Sequence, residues 1–218
     1  MNDIPKIIHY CWFGKKKLSN KYLSKWKKIY NDYTFIEWNE KKFDINKYEY
    51  TKKAYYEKKY AFLSDFVRLY ALINYGGIYI DTDVELNDKF NDIIDNDLVI
   101  GWEKNKIMTG LIVAKKNNHD LINIFNDNYI NTLNFTPNTD IFTDYFTKKY
   151  NLKKMKEYKT KGLSIYEFDV FCCVDENGYT INQNTKTIHH YNASWVPFKL
   201  KIKWSIIKIL NKLKGKKR

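Results

Sequence analysis

Three absences limit the classes of protein that this sequence can encode. The chain has only three cysteines, Cys11, Cys172 and Cys173, and their odd number and adjacent pair exclude a disulfide framework or a CxxC zinc spacing. It has no run of about 18 apolar residues, so no membrane-spanning helix is expected. The N-terminal residues lack the apolar core and cleavage site of a secretory signal. We therefore expect a cytoplasmic protein in a reducing compartment.

Acidic residues are too few to balance the basic ones, and much of the imbalance lies at one end. The formal net charge is +13, and residues 199–218 carry nine basic residues and no acidic one. The rest of the chain is only mildly basic, which disfavours a nucleic-acid-binding protein. Apolar residues recur at helical spacing in this tail, which predicts a basic amphipathic helix for an anionic membrane surface. The alternative is that the tail forms a last helix that packs on the body of the protein, residues 1–198.

The body has the composition of a globular protein and the pattern of an α/β domain. With 218 residues, 44% of them hydrophobic, the chain is long enough to bury one sizeable core. Strand and helix patterns alternate, which favours a mostly parallel sheet. Predicted strands lie at residues 6–10, 34–38, 78–80, 98–102, 111–114, 164–174 and 187–191, predicted helices at 20–32, 61–74, 119–132 and 139–149, and a polar connection at 39–50.

The stretch YGGIYIDTDVE, residues 75–85, is the most informative in the chain. Two glycines permit a tight turn, and the next three residues have the β-branched and aromatic character of a strand. Asp81 and Asp83 follow one residue apart, which in a strand places both carboxylates on one side. Like charges so close repel unless a cation lies between them, so the pattern indicates a Mg²⁺ or Mn²⁺ site.

Other interpretations of an Asp-x-Asp pattern remain. It is often only a polar turn. A calcium loop is disfavoured because position six, counted from Asp81, is Leu86 and not glycine. A phosphatase would use Asp81 as nucleophile with a downstream acidic pair that the sequence does not reveal.

Polar residues in three other places could share this site. Ser64, Asp65 and Arg68 lie along one edge of the helix that leads into the two glycines, where Arg68 could hold a sugar or phosphate oxygen or simply pair with Asp65. Trp12 follows the first predicted strand and could stack on a base or lie in the core. In HHYNASW, residues 189–195, an imidazole could complete a metal site or be structural.

Four segments, IPKIIHYCWFG, AFLSDFVR, YGGIYIDTDVE and HHYNASW, resemble in this order the family 32 glycosyltransferases. These bacterial capsule and lipopolysaccharide sugar transferases have a DXD sugar-binding region and are related to yeast α-1,6-mannosyltransferases and, distantly, to clostridial glucosylating toxins. The resemblance implies a GT-A fold, a Rossmann-like mixed sheet flanked by helices in a single domain. It also implies a retaining transfer from a nucleotide-sugar, most simply a UDP-sugar, with Mn²⁺ or Mg²⁺, to a glycan or lipid-linked acceptor.

The resemblance further implies roles for individual residues. Trp12 would stack on the base, and Arg68 with Asp65 would act at the sugar and phosphates. The residues expected to bind the nucleotide-sugar are Trp12, Ser64, Asp65, Arg68, Tyr79, Asp81, Ser194 and Trp195. The expected metal ligands are Asp81, Asp83 and His190, with His190 preferred to His189 on motif position alone, and the expected catalytic residues are Asp65, Arg68, Asp81 and Asp83.

The remaining alternative class is a non-enzymatic adaptor that binds a membrane surface through the basic tail. In such an adaptor, Trp12, Arg68 and His190 would have no shared function. The resemblance does not extend to the acceptor, because residues 101–110 hold Lys104 and Lys106 where relatives often have an acidic loop. The acceptor, the sugar and the oligomeric state are not predicted.

Overall fold

A computed structural model describes residues 4–19, 21–172 and 181–191, and the backbone of residues 174–175 and 178–179. The strands are β1 Ile7–Cys11, β2 Thr34–Trp38, β3 Gly77–Ile80, β4 Val84–Leu86, β5 Leu98–Glu103, β6 Lys106–Ile107, β7 Leu111–Ala114, β8 Tyr158–Thr160, β9 Leu163–Tyr166, β10 Val174–Asp175, β11 Gly178–Tyr179 and β12 Thr187–His189. The helices are α1 Leu23–Ile29, α2 Glu49–Tyr56, α3 Tyr60–Tyr75, α4 His119–Phe125, α5 Asn138–Tyr150 and α6 Phe168–Phe171. Short 3₁₀ turns lie at Ile45–Lys47 and Asn91–Ile93, and a π-helical turn, Asn126–Ile130, extends α4.

Eight strands form one mixed sheet with the order β2-β1-β3-β7-β5-β9-β8, and β6 pairs with β5 at its side. The pairs β1/β2, β1/β3 and β5/β9 are parallel, whereas β7 runs antiparallel to both β3 and β5. The prediction of a mostly parallel sheet is therefore wrong at the centre of the sheet, where β7 is antiparallel to both of its neighbours. The α/β fold with a mixed sheet flanked by helices is confirmed.

The sheet separates two hydrophobic cores because neighbouring strand residues point to opposite faces. Tyr79 lies in the core that α2, α3, α4 and α5 cover, and Ile78 and Ile80 lie in the core that α1 and α6 cover. Both cores are rich in aromatic rings, including the fully buried Trp26 and Trp102. The parallel strands β1 and β3 end at the same edge, where ligands bind in such sheets.

Helix α3 delivers the chain to this edge through two glycines. Its apolar stripe is buried against the sheet, and it ends where the Gly76 N–H donates to the Leu72 carbonyl. Gly76 and Gly77 have φ angles of 66° and 106°, in the region that favours glycine. A Cβ on Gly77 would lie 2.5 Å from the Ile7 carbonyl oxygen, so β1 and β3 approach closely only because that Cβ is missing.

Two further predicted segments need correction. Residues 39–50 do not form only a polar connection, because helix α2 begins at Glu49 and buries Tyr50, Thr51 and Ala54. Residues 164–174 are not one β-like stretch, because β9 ends at Tyr166 and α6 follows at Phe168. No helix in the described part of the chain has the length and apolarity needed to cross a bilayer. The predicted tail, residues 199–218, lies outside the described residues.

Candidate active site

Asp81 and Asp83 lie in a turn between β3 and β4 and not on a strand. The Asp81 N–H donates to the Gly110 carbonyl at 2.7 Å, and the Val84 N–H donates to the Asp81 carbonyl at 3.0 Å. The first bond ties the turn to the segment before β7, and the second closes the turn itself. The two carboxylates thus come together at the edge of the sheet, as predicted, but a turn and not strand alternation brings them there.

A third candidate ligand reaches the aspartates from the other end of the described chain. Strand β12 pairs antiparallel with β4, and His189 lies opposite Val84. This register places His189 Nε2 3.3 Å from Asp83 Oδ1. One ligand atom from each of Asp81, Asp83 and His189 lies within 4.8 Å of the others.

His190 lies away from this group, which corrects the preference for His190 as the metal ligand. Its Nε2 lies 2.9 Å from Glu85 Oε2, and its ring stacks on Tyr22 with centroids 5.0 Å apart. The physical reason is strand alternation: His189 is the last residue of β12, so the two neighbouring imidazoles point to opposite sides. Glu85 also pairs with Lys25, and the bond from Lys25, ahead of that from His190, lowers the pKa of Glu85.

The three side chains fit a divalent cation of the Mg²⁺ or Mn²⁺ type. Carboxylate oxygens suit both ions, and an imidazole suits Mn²⁺ well. Burial alone would lower the pKa of His189, but contacts with Asp83, Asp81 and Glu103 outweigh it and raise the pKa above its ordinary value. Within the described chain, the buried His189 Nδ1 has no hydrogen-bond partner.

Arg68 connects helix α3 to the acidic turn. Its Nη2 lies 3.0 Å from Asp65 Oδ1 and 3.2 Å from Asp81 Oδ1, and its Nη1 donates to the Thr109 carbonyl. Its guanidinium also covers the Tyr79 ring, and the Tyr79 hydroxyl donates to Asp81 Oδ1 at 2.8 Å. Arg68 therefore does more than pair with Asp65, since it fixes the orientation of Asp81 as well.

Burial shapes the protonation of this network. It raises the pKa of Asp65 to about 6, although the charge of Arg68 acts in the opposite direction. For Arg68, burial acts to lower the pKa, but Asp81, Tyr79 and Asp65 outweigh it, so the pKa is raised. The guanidinium thus stays charged beside a carboxyl whose pKa burial raises. Such shifted groups collected in one cleft are typical of active sites.

The network lines one cleft with a volume of about 520 Å³. The nucleotide-sugar residues predicted within the described chain all line it: Trp12, Ser64, Asp65, Arg68, Tyr79 and Asp81. Trp12 is half-buried at the wall and not in the core, and its indole N–H donates to the Lys16 carbonyl at 2.6 Å. Asp83 and His189 line the same cleft. Ser194 and Trp195 lie outside the described residues.

Among the other residues of this cleft are four to which the sequence assigned no individual role. They are Glu103, Gly110, Asn138 and Tyr191. Glu103 was the only acid in residues 101–110, which was the one available signal. Gly110 could be recognised only in three dimensions, since a Cβ there would lie 3.0 Å from both Asp81 Oδ2 and His189 Cε1.

Similarity to solved structures supports the GT-A type of fold. The chain is similar to the structure titled "PaToxG Glycosyltransferase", with a TM-score of 0.55 and 21% identity over 69% of this chain and 70% of the other. It is also similar to a glycosyltransferase involved in the glycosylation of the major capsid of PBCV-1, with a TM-score of 0.52 and 13% identity over 88% of this chain and 95% of the other. The expected fold class is confirmed.

One family model matches part of the chain. Residues 16–100 match the model described as "Glycosyltransferase sugar-binding region containing DXD motif". Asp81 and Asp83 fall inside this segment, and so do Ser64, Asp65 and Arg68. A search of curated proteins gave no significant match.

Proposed function

We propose that this protein is a retaining, metal-dependent glycosyltransferase that moves a sugar from a nucleotide-sugar to a glycan or lipid-linked acceptor. The donor is a UDP-sugar, the cation is Mn²⁺ or Mg²⁺, and the product belongs to a bacterial surface polysaccharide such as a capsule or lipopolysaccharide. The match of residues 16–100 to a DXD sugar-binding region supports the sugar transfer. The retention of configuration, the UDP donor and the polysaccharide rest on the family 32 resemblance.

One observation carries the proposal: Asp81, Asp83 and His189 converge in a cleft that Arg68 and Trp12 also line. A nucleotide-sugar offers a flat base, a diphosphate and a sugar, and this cleft offers a ring, positive charge and hydrogen-bonding groups for them. Asp81 and Asp83 would hold the cation together with His189. When bound, the cation neutralises negative charge on the diphosphate.

The residues of the chain then act on charge that develops during transfer. The bond between the anomeric carbon and the phosphate oxygen breaks, and a bond from the acceptor oxygen to that carbon forms on the same face. The leaving phosphate oxygen takes the acceptor proton. Arg68, already oriented by Asp65 and Asp81, adds positive charge beside the leaving group, and such pre-organised charge is the usual main contribution to catalysis.

A donor screen tests the proposal. The purified protein is incubated with each of a set of UDP- and GDP-sugars and Mn²⁺, and release of the nucleoside diphosphate is measured with and without chelator. We expect chelator-sensitive release with a UDP-sugar. Release of inorganic phosphate from phosphate esters in its place would indicate the phosphatase, and the absence of turnover with every donor would favour the adaptor.

The proposed place of action is the inner face of the cell membrane. The chain would be cytoplasmic and peripheral, with residues 199–218 on anionic lipid, where lipid-linked acceptors are found. Their nine basic residues support this proposal through attraction to anionic headgroups. Sedimentation with anionic and neutral vesicles, with and without residues 199–218, tests it, and equal sedimentation of both forms would contradict it.

A further inference from the structure

Besides Asp83, two residues on different segments lie close to the His189 ring. Glu103 ends β5, and its Oε2 lies 4.0 Å from His189 Nδ1. Tyr191 stacks on the same imidazole, with ring centroids 4.2 Å apart and planes inclined by 29°. Asp83 thus lies near one ring nitrogen of His189 and Glu103 near the other.

Tyr191 lies near Glu103 as well as against the ring. It has a φ of 49°, an uncommon value for a residue with a side chain, which lets the chain turn so that its ring returns to His189. Its hydroxyl lies 2.8 Å from Cys172 Sγ, and its pKa is raised, first by burial and then by the negative charge of the nearby Glu103 carboxylate. Glu103 is about one-fifth exposed, so the carboxylate retains room to rotate towards the ring.

The imidazole needs such a neighbour if it is to bind a cation. A neutral histidine carries one proton, and the partner of one nitrogen decides whether the other nitrogen has a free lone pair. With Asp83 3.3 Å from Nε2, a proton on Nε2 would be attracted to Asp83 and would block that nitrogen. A proton on Nδ1 leaves Nε2 free, and Nδ1 is buried with only Glu103 as a nearby acceptor among the contacts described.

We propose that Glu103 is a positioning residue that accepts the Nδ1 proton of His189 and thereby presents Nε2 to the divalent cation. Tyr191 assists by holding the carboxylate and the ring. The separation of 4.0 Å shortens to a hydrogen bond when the cation binds, as such contacts tighten once a ligand is present. Carboxylates that accept a hydrogen bond from a metal-binding histidine in this way contribute strongly to the affinity for the metal. The inference rests on the proposed metal-dependent function.

Binding of Mn²⁺ alone tests the proposal without turnover. Free Mn²⁺ is measured by electron paramagnetic resonance during titration of the full chain and of Glu103→Met, which keeps the length of the side chain but removes the acceptor. We expect the dissociation constant to rise by about 10-fold or more. Glu103→Asp should recover part of the affinity, and Tyr191→Phe, which removes only the hydroxyl near the carboxylate, should lose less affinity than Glu103→Met.

The matched control is Glu85→Met. It removes a carboxylate from His190, the neighbouring imidazole on the same strand pair, which lies outside the cation group. We expect it to leave Mn²⁺ affinity within about twofold of the unmodified protein. Equal loss in both variants would contradict the proposal, because removing either carboxylate near the two imidazoles would then have the same effect.

The outcomes separate this inference from the proposed function. If the unmodified protein binds no Mn²⁺, both are wrong. If it binds Mn²⁺ and Glu103→Met binds it equally well while turnover falls, Glu103 acts elsewhere and only this inference is wrong. Should Glu103→Met fail to fold, ¹⁵N spectra of histidine-labelled unmodified protein with Mg²⁺ decide: a proton on Nδ1 of His189 is expected, and a proton on Nε2 would overturn the inference.

Discussion

The acidic turn, residues 81–83, and the C-terminal segment, residues 187–191, contribute to one group of ligand atoms but are held differently. The acidic turn continues a central strand of the main sheet and is bonded to Gly110 and Arg68. The C-terminal segment belongs to a separate two-stranded sheet and is held by β4, by the contacts of His190 and by bonds to the end of α6, such as that from the His189 N–H to the Cys172 carbonyl. Because the turn carries the two carboxylates and is tied to the main sheet, we expect substitutions in it to have larger effects than substitutions in the segment.

The largest effect is expected at the acidic turn. Asp83→Asn keeps the shape of the side chain but removes one negative charge, so the cation is held less tightly beside the diphosphate. We expect metal-dependent turnover to fall by roughly 10²- to 10³-fold, the range for losing a pre-organised electrostatic contact in the transition state. Asp97→Asn, which alters an exposed pair with Lys115, is the control and should change turnover little. Near-normal turnover of Asp83→Asn would show that the acidic turn is not part of the active site.

A smaller effect is expected at the C-terminal segment, and it should distinguish two neighbouring residues. His189→Ala removes a ligand atom and should weaken Mn²⁺ binding by at least about 10-fold. His190→Ala should change Mn²⁺ affinity less than about threefold and instead cost about 1 kcal/mol of unfolding free energy, since it loses Glu85 and Tyr22. Titration calorimetry and chemical denaturation measure the two quantities, and the reverse order would contradict the assignment of His189.

The same difference explains how far the sequence could predict the site. The Gly-Gly turn, the strand and the aspartates are contiguous, so their local pattern predicted a shared position, although the turn geometry was not foreseen. Ser64, Asp65 and Arg68 were predictable because helix α3 leads directly into that turn. The choice between His189 and His190 depended on the register of β12 against β4, which no local pattern specifies. Glu103 could not be predicted to join the site, because it lies on β5, a third segment that approaches the other two only in the folded protein.

Gly110 lies between the two segments, and its substitution should affect their separation. In Gly110→Ala the new Cβ would lie 3.0 Å from Asp81 Oδ2 and His189 Cε1, so these groups must shift by a few tenths of an ångström. We expect Mn²⁺ affinity and turnover to fall together by about 3- to 5-fold, since a displacement of 1 Å can cost about 100-fold. Gly162→Ala is the control: it strains a φ of 91° with no atom near its Cβ, so it should lower stability without changing affinity.

The smallest effect on activity is expected at His9. This residue lies in β1, and its side chain joins β1 to neighbouring parts of the chain. Nε2 of the buried ring lies 2.8 Å from the Gly76 carbonyl, and Nδ1 accepts from the Trp38 indole N–H at 3.2 Å. These partners fix the neutral form with its proton on Nε2, and a second proton on Nδ1 would face the indole N–H. Burial accordingly lowers the pKa of His9 to about 4, although the Gly76 contact acts in the opposite direction.

Because the pKa of His9 is lower in the folded than in the unfolded state, protonation favours unfolding. Its contribution to stability is complete above the unfolded value of 6.5 and is lost as the pH falls towards 4. Between pH 7 and pH 5 the unfolding free energy should fall by about 2 kcal/mol more in the unmodified protein than in His9→Gln. Denaturant titrations at both pH values measure this, with the exposed His119→Gln expected to follow the unmodified protein. Parallel loss in His9→Gln would place the acid sensitivity at groups other than His9.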